Sequence, residues 1–353
     1  MINLLKEFIM GHPLKRITYA EYMELVLYHP QYGYYMREKD KVGRKGDFIT
    51  SSNIGDIYGK ALAKWYFKEK NERKLPPAIC EIGGGTGRFA KAFIDEWNRI
   101  GEEPIQYVLL ETSPYHRKLQ QEELKSYDFV KQIDDLEEIF PFEGLIFSNE
   151  LFDAFPVHII ENHDGQFMEV MITIQNDQLA ETIVPLNNRQ ISTYLAESGL
   201  KLKNKQRIEI PLSMGDMLYR MSKALSRGLV LTVDYGYTNE EWTELGRSKG
   251  SLRGYYKHQQ MNNVLLHPGE MDLTSHVHFD SLIRIGKENG LNFESNWRQD
   301  EFLLTTGILE DLQDHYDPDP FSEVSKRNRA IRSLIMPSGM SASFHVFLQK
   351  KGC

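Results

Sequence analysis

Two short stretches carry residue types that can do chemistry. The first is "CEIGGGTGRFAKAF", Cys80 to Phe93, where an apolar strand runs into glycines at 83, 84, 85 and 87 just before a helical pattern. Bare backbone permits positive φ and lets a ligand approach main-chain N–H groups, and the start of the next helix leaves further N–H groups unpaired. The second is "GLIFSNELFDAFPVH", where an apolar run ends in Asn149, Glu150 and Asp153. On a helical turn, carboxylates three residues apart share one side, and they repel each other unless a cation lies between them.

The spacing of the glycines narrows the ligand. A dinucleotide fingerprint starting at Gly83 needs its third glycine where Arg88 stands. A phosphate loop needs a Lys-Ser/Thr pair that is not there. The tighter Gly83-x-Gly85-x-Gly87, preceded by Glu81, suits S-adenosylmethionine (SAM). The carboxylate can hold the ammonium of its amino-acid tail, and the loop N–H groups can meet the tail's carboxylate. Glu111 ends the second strand candidate, 24 residues after Gly87, where an acid takes the ribose hydroxyls of a nucleoside. NAD shares that last requirement, so the glycine spacing is what opposes a dehydrogenase. Asp134 lies where an adenine amino group can be met, although "DDLEEI" reads equally well as a helix cap.

These residues need a frame to hold them. From Pro76 onward, strand candidates at Ala78–Ile82, Gln106–Glu111, Gly144–Asn149 and Gly228–Asp234 alternate with helices at Phe89–Arg99 and Ser113–Lys125, with a last strand at Ser343–Gln349. This βαβ series predicts an α/β fold with a mostly parallel sheet. Residues 1–72 read as a helical N-terminal region, with Thr18 and Glu21 as a capping box, broken by an aromatic, glycine-rich loop. Residues 73–157 and 206–353 make the sheet domain, with an active-site loop at 237–280. Residues 158–205 read as an inserted smaller α/β subdomain: two strands around Asp164-Gly165, then a helix near Gln190–Gly199.

The bulk numbers bound the partners. The 353 residues carry a net charge of −8, which opposes a nucleic-acid-binding surface. Two cysteines, one of them terminal, exclude a disulfide framework and point to a reducing compartment, the cytoplasm. No run of 18 apolar residues is present, so no membrane span is expected. The first residues read as a helix and not as a signal peptide. The eleven histidines show no metal-ligand spacing with cysteines or acids, and no metal is expected.

Eight segments in order, "LYHPQYGYY", "GDFITS", "EIGGGTG", "LLETSP", "NELFDAFPV", "VDYGY", "HPGEMDLTSHVHF" and "QDEFLLTTGI", resemble the MidA family of class I SAM-dependent methyltransferases. The resemblance runs nearly end to end. It implies a Rossmann-like domain, SAM as cofactor and a protein substrate. Mitochondrial members of that family are protein arginine methyltransferases and assembly factors for respiratory complex I. Asp47 and Thr50 of "GDFITS" are then expected to fold over the cofactor as a lid. His278 stands where the family pattern has an acid.

The expected chemistry is methyl transfer to an arginine side chain. Glu150 and Asp153 would hold two guanidinium N–H groups, Asn149 would serve a neutral acceptor, and His258 or His276 would take up the released proton. Methyl transfer to a small molecule, or to a glutamine or amine side chain, is the alternative enzyme. A SAM-binding assembly factor with little catalysis is the alternative from another class.

Overall fold

In the computed structural model of the chain, residues 1–38, 57–101, 103–312, 319, 322–336 and 343–353 are described. Asp47 and Thr50 lie outside them. The chain forms two compact units, each assembled from three segments. One, the glycine-loop unit, takes Ile49–Leu151, Tyr219–Tyr235 and Gly286–Cys353. The other, the insertion unit, takes Met1–Phe48, Phe152–Leu218 and Gly236–Ile285.

The glycine-loop unit is built on one twisted sheet. Its strand order is Asn292–Arg298, Phe344–Lys351, Leu225–Tyr237, Phe142–Asn149, Ala78–Ile82, Gln106–Leu110 and Lys131–Ile133. The last five are parallel to one another; Phe344–Lys351 runs antiparallel to both of its neighbours, so Asn292–Arg298 points the same way as the five. From Ala78–Ile82 the chain steps outward through two strands and then returns to the other side of the first. That reversal makes a switch point, the place at the carboxyl ends of the strands where open α/β sheets take their ligands. Residues 83–87 and 149–151 flank it.

All five residues of Ala78–Ile82 are buried, as a central strand covered on both faces requires. Two glycines let the neighbouring strands close up. A Cβ on Gly144 would lie 2.3 Å from the Ala78 carbonyl oxygen, and one on Gly228 would lie 2.0 Å from that of Gly144. The helix Ile57–Arg73 packs on the helix Arg88–Ile100 that follows the glycine loop, with Gly59 at the close approach. It therefore belongs with the sheet, whereas the two helices before residue 38 belong to the insertion unit. The serial boundaries expected at 72, 157 and 205 are not those of the units.

The insertion unit has its own sheet. His158–His163 and Gln166–Gln175 pair around Asp164-Gly165, both in the left-handed region, as a two-residue hairpin turn demands. The sheet is larger than the sequence suggests. Gln178–Pro185 adds a second hairpin through Asn176-Asp177, also both left-handed. Arg207–Ile210 and the N-terminal Arg16–Thr18 complete it. The helix falls at Arg189–Ser198, between an Asn188 cap and left-handed Gly199. Thr18 and Glu21 form the expected capping box at the start of Tyr19–Tyr28.

Gly144→Ala is expected to destabilise the protein by about 3 kcal/mol, the upper end of overpacking costs, because the two nearest atoms are the Ala78 carbonyl oxygen and carbon, which cannot swing aside. Gly165→Ala meets no atom within 4 Å and pays only the positive-φ cost, about 1 kcal/mol. Urea denaturation of the two variants checks the ranking.

Candidate active site

The glycine loop follows directly from Ile82. Gly83, Gly85 and Gly87 have φ of 74°, 52° and 81°, and Gly87 is the left-handed N-cap of Arg88–Ile100. The loop is tied at three points. Gly83 N–H donates to the Leu110 carbonyl at 2.9 Å, Gly87 N–H to that of Gly84 at 3.0 Å, and the Gln120 amide to that of Gly85 at 3.0 Å. A Cβ on Gly85 would meet no protein atom within 4 Å, so the backbone there is open to a ligand. Gln120 was not anticipated from the sequence. It is fully buried, and its side chain locks the loop to the helix Pro114–Glu123.

Glu81 sits under this loop, 4% exposed, and accepts a 2.6 Å hydrogen bond from the Tyr107 hydroxyl. Burial pushes its carboxyl up to about 7. The Tyr107 bond opposes that rise, and the neighbouring Glu111 adds to it. A bound cation would favour the charged form.

Glu111 comes one residue after its strand, which ends at Leu110. It is buried, accepts the Ser113 N–H at 2.8 Å and lies 3.8 Å from His116 Nδ1. Ser113 caps the following helix, Pro114–Glu123, so the acid is held at a fixed strand-to-helix corner. Asp134 is different. Its exposed side chain pairs with Arg117, and Asp135 beside it caps the short 3₁₀ helix Leu136–Ile139. The capping reading of "DDLEEI" is the one the geometry supports.

Asn149 ends its strand and donates from Nδ2 to Glu150 Oε1 at 3.0 Å. Its Oδ1 is buried with no hydrogen-bond partner among the described residues. Glu150 itself has φ of 49°, and its N–H donates to the Val233 carbonyl at 2.9 Å. A glutamate in the left-handed region costs about 1 kcal/mol, and such outliers gather at functional sites. Burial raises the Tyr58 hydroxyl, and the Glu150 charge raises it further. The left-handed residue also corrects an expectation. Residues 150–153 are not a helical turn, so Glu150 and Asp153 are not paired by helical spacing.

Asp153 belongs to the insertion unit and is 3% exposed. Its acidic neighbour there is Asp272. The Tyr35 hydroxyl donates to Asp272 Oδ1 at 2.6 Å. Burial first, then the charges of Asp272 and Asp153, hold that phenol well above its usual range. Tyr28 stacks on Tyr35 at 5.5 Å, and Tyr255 feels both carboxylates. Asp272 lies within the active-site loop expected at 237–280.

The histidine expectations need correction. His258 and Lys257 are the two left-handed residues of an exposed hairpin turn between Arg253–Tyr256 and Gln259–Met261. His276 is stacked on Tyr237 at 4.4 Å, and Arg247 covers the same tyrosine ring at 3.8 Å. Burial, with Arg253 and Arg247, lowers its imidazole to about 4. That is too weak a base to take a proton efficiently near neutrality. His278 is buried against the Tyr194 hydroxyl at 3.0 Å and is lowered to about 3. Among the described residues no group of histidines, cysteines and acids could hold a metal ion.

The switch point, the open Gly85 backbone, the buried acid beneath it and a second acid at the next strand end fit a nucleoside cofactor with a cationic tail. They define a Rossmann-like, nucleoside-binding α/β enzyme. A family described as S-adenosyl-L-methionine-dependent methyltransferase matches residues 61–296, and the chain belongs to that family. Its cofactor is SAM. Similar curated proteins are the mouse and human mitochondrial protein arginine methyltransferase NDUFAF7. Each is 27% identical over 94% of this chain, and the matches span 80% and 79% of those proteins. A Burkholderia thailandensis structure bound to S-adenosyl-homocysteine superposes with a TM-score of 0.90 at 26% identity, covering 99% of this chain and 92% of its own. A native structure from the same organism gives 0.86 at 25%, covering 99% and 91%.

Two predictions follow from the loop. Gly85→Val should leave the thermal transition within a few degrees of the parent and abolish S-adenosyl-homocysteine binding in calorimetry. Retained affinity would show that the ligand does not approach there. For Glu81 the folded carboxyl is raised, so between about pH 4.5 and 7 it costs stability as pH rises. A ligand ammonium favours the charged form, so affinity should tighten as pH rises from 6 to 8. Glu81→Gln should flatten that profile.

Proposed function

We propose that this methyltransferase acts on an arginine side chain of a protein. The carrying observation is Glu150, a carboxylate held in the left-handed region just after the strand Phe142–Asn149 that pairs with Ala78–Ile82, with Asn149 donating to it, which suits a cationic side chain. The naming of the mouse and human relatives as protein arginine methyltransferases supports the same reading. Bound SAM supplies a methyl group already activated on a sulfonium. The chain's own residues then have to bind, orient and exclude water.

Glu111 would take the ribose hydroxyls, Glu81 the ammonium, and the loop N–H groups between Gly83 and Gly87 the tail carboxylate. A guanidinium is too basic to be deprotonated beforehand. Carboxylates instead accept its N–H groups and turn one nitrogen toward the methyl. Glu150 has that role on the acceptor, with Asn149 bracing it. The methyl that bound SAM would supply goes to the oriented nitrogen, which would give up one N–H proton to a carboxylate or water, without His258 or His276. Two free cysteines, one of them buried, fit a reducing compartment, and the cytoplasm is the proposed location.

Labelled SAM with a host lysate, followed by peptide mapping, should place the label on arginine. Label confined to small molecules or to glutamine would overturn the assignment. On the mapped acceptor, Glu150→Gln should cut turnover by about two orders of magnitude with S-adenosyl-homocysteine affinity within twofold. Full turnover in that variant would remove Glu150 from the acceptor site. His276→Phe should leave the pH profile of turnover unchanged between 6 and 8.

A further inference from the structure

The insertion unit contains a cavity of about 810 Å³ that the methyl-transfer chemistry does not use. This is within the range of small-molecule sites, about 300–1,000 Å³. Its floor is one face of the inserted sheet, with Ile159 and Glu161, Leu179–Glu181, and Arg207 and Glu209. Its other wall is made by residues 248–249, 252–253 and 262–265.

The charges in this cavity do not balance. Its three carboxylates are all answered by the protein. Glu181 accepts from Arg207 at 2.8 and 2.9 Å and from the Tyr19 hydroxyl at 2.6 Å. Glu161 accepts from Arg207 at 3.3 Å and lies 2.7 Å from His163 Nε2. Glu209 takes the Ser251 and Leu252 N–H groups and the Ser251 hydroxyl, at 2.8 to 3.1 Å. Arg207 is thus spent on Glu161 and Glu181. Three further cations line the cavity and meet no carboxylate among the described residues. Arg253 donates only to the carbonyls of Leu252 and Gly250. Lys205 contacts the His163 ring at 2.9 Å. Lys249 has no ion pair there. In a chain of net charge −8, this is a local positive surplus beside apolar walls formed by Leu179, Leu252, Val264 and Leu265.

We propose that this cavity is a binding site for a small amphiphilic organic anion. The ligand is a carboxylate or phosphate monoester with a short apolar body. Its acidic group is held by Lys249, Arg253 and Lys205 through charge-assisted hydrogen bonds. Its body lies on Leu179, Val264 and Leu265. Each acid is already engaged by protein donors, so the cations that lack a carboxylate partner are what a ligand is offered. The site lies wholly in the insertion unit and stands whether or not the methyl acceptor is arginine.

The test is calorimetric titration of the full chain with octanoate, octyl phosphate, octanol and octylamine in low salt. One or both anions should bind at 1:1 stoichiometry, and which of them binds identifies the acidic group. Octanol and octylamine should bind at least tenfold more weakly. Added salt should weaken the anion. Lys249→Glu, an exposed change, should weaken it at least fivefold, and Leu179→Glu should weaken it further, with circular dichroism and S-adenosyl-homocysteine affinity unchanged. Failure of both anions to bind at millimolar concentration, equal binding of octanol, or unchanged affinity in Lys249→Glu would each overturn the proposal.

Discussion

A carboxylate buried at the end of the central strand is the constraint that the cofactor side of this molecule answers to. Glu81 loses its water and receives in exchange one phenolic hydrogen bond from Tyr107. The loop above it is shaped around that group. A Cβ on Gly84 would stand 3.1 Å from the Glu81 carboxyl carbon and 2.8 Å from Leu109, so the second glycine of the run is there for space as well as for the chain's turn. Gln120 then fixes the loop from the far side by bonding the Gly85 carbonyl, while its own oxygen accepts from Gln132 at 2.8 Å. A buried acid is costly unless something compensates it. The strand end therefore favours a positively charged occupant.

The insertion unit solves a similar problem by a different route. Its sheet face carries three acids, and each is satisfied within the protein by an arginine, a tyrosine, a histidine or backbone N–H groups. Ser251 joins this system to the stacked histidine, since it donates to Glu209 and accepts the His276 N–H at 2.9 Å. His276 is thereby fixed at its backbone and at its ring. It is a structural residue whose neutrality is set by burial and two arginines. Protonation would cost stability as pH falls from about 6.5 toward 4, because the unfolded chain takes the proton first.

Much of the sheet was legible because its strands are buried on both faces and read as continuous apolar runs. Ala78–Ile82 falls where the sequence places it, and the helix after the glycines differs by one residue at each end. The Asp164-Gly165 hairpin was visible through its glycine. The next one, through Asn176-Asp177, was not, because the edge strand Gln178–Pro185 alternates with solvent and carries no glycine turn. The acceptor side was the least legible. Helical spacing paired Glu150 with Asp153, but one left-handed residue breaks that register. The true acidic neighbour, Asp272, is 119 positions away from Asp153 in the chain. Gln120 gave no signal, since a glutamine on a helix face is ordinary until the loop it pins is seen.

The two units alternate along the chain, so the polypeptide passes from one to the other five times. Synthesis on the ribosome gives this an order in time. The insertion unit lacks its last segment until residue 285 has emerged. In the glycine-loop unit, Phe344–Lys351 lies between Leu225–Tyr237 and Asn292–Arg298 and pairs with both. Until that strand arrives, Leu225–Tyr237 presents an unpaired edge and Asn292–Arg298 has no partner. Non-local pairing of this kind is slow, and open edges attract other chains. The nascent protein is thus most exposed to misassociation late in translation, and a ribosome stalled before residue 344 would hold a sheet that has its glycine loop but cannot close.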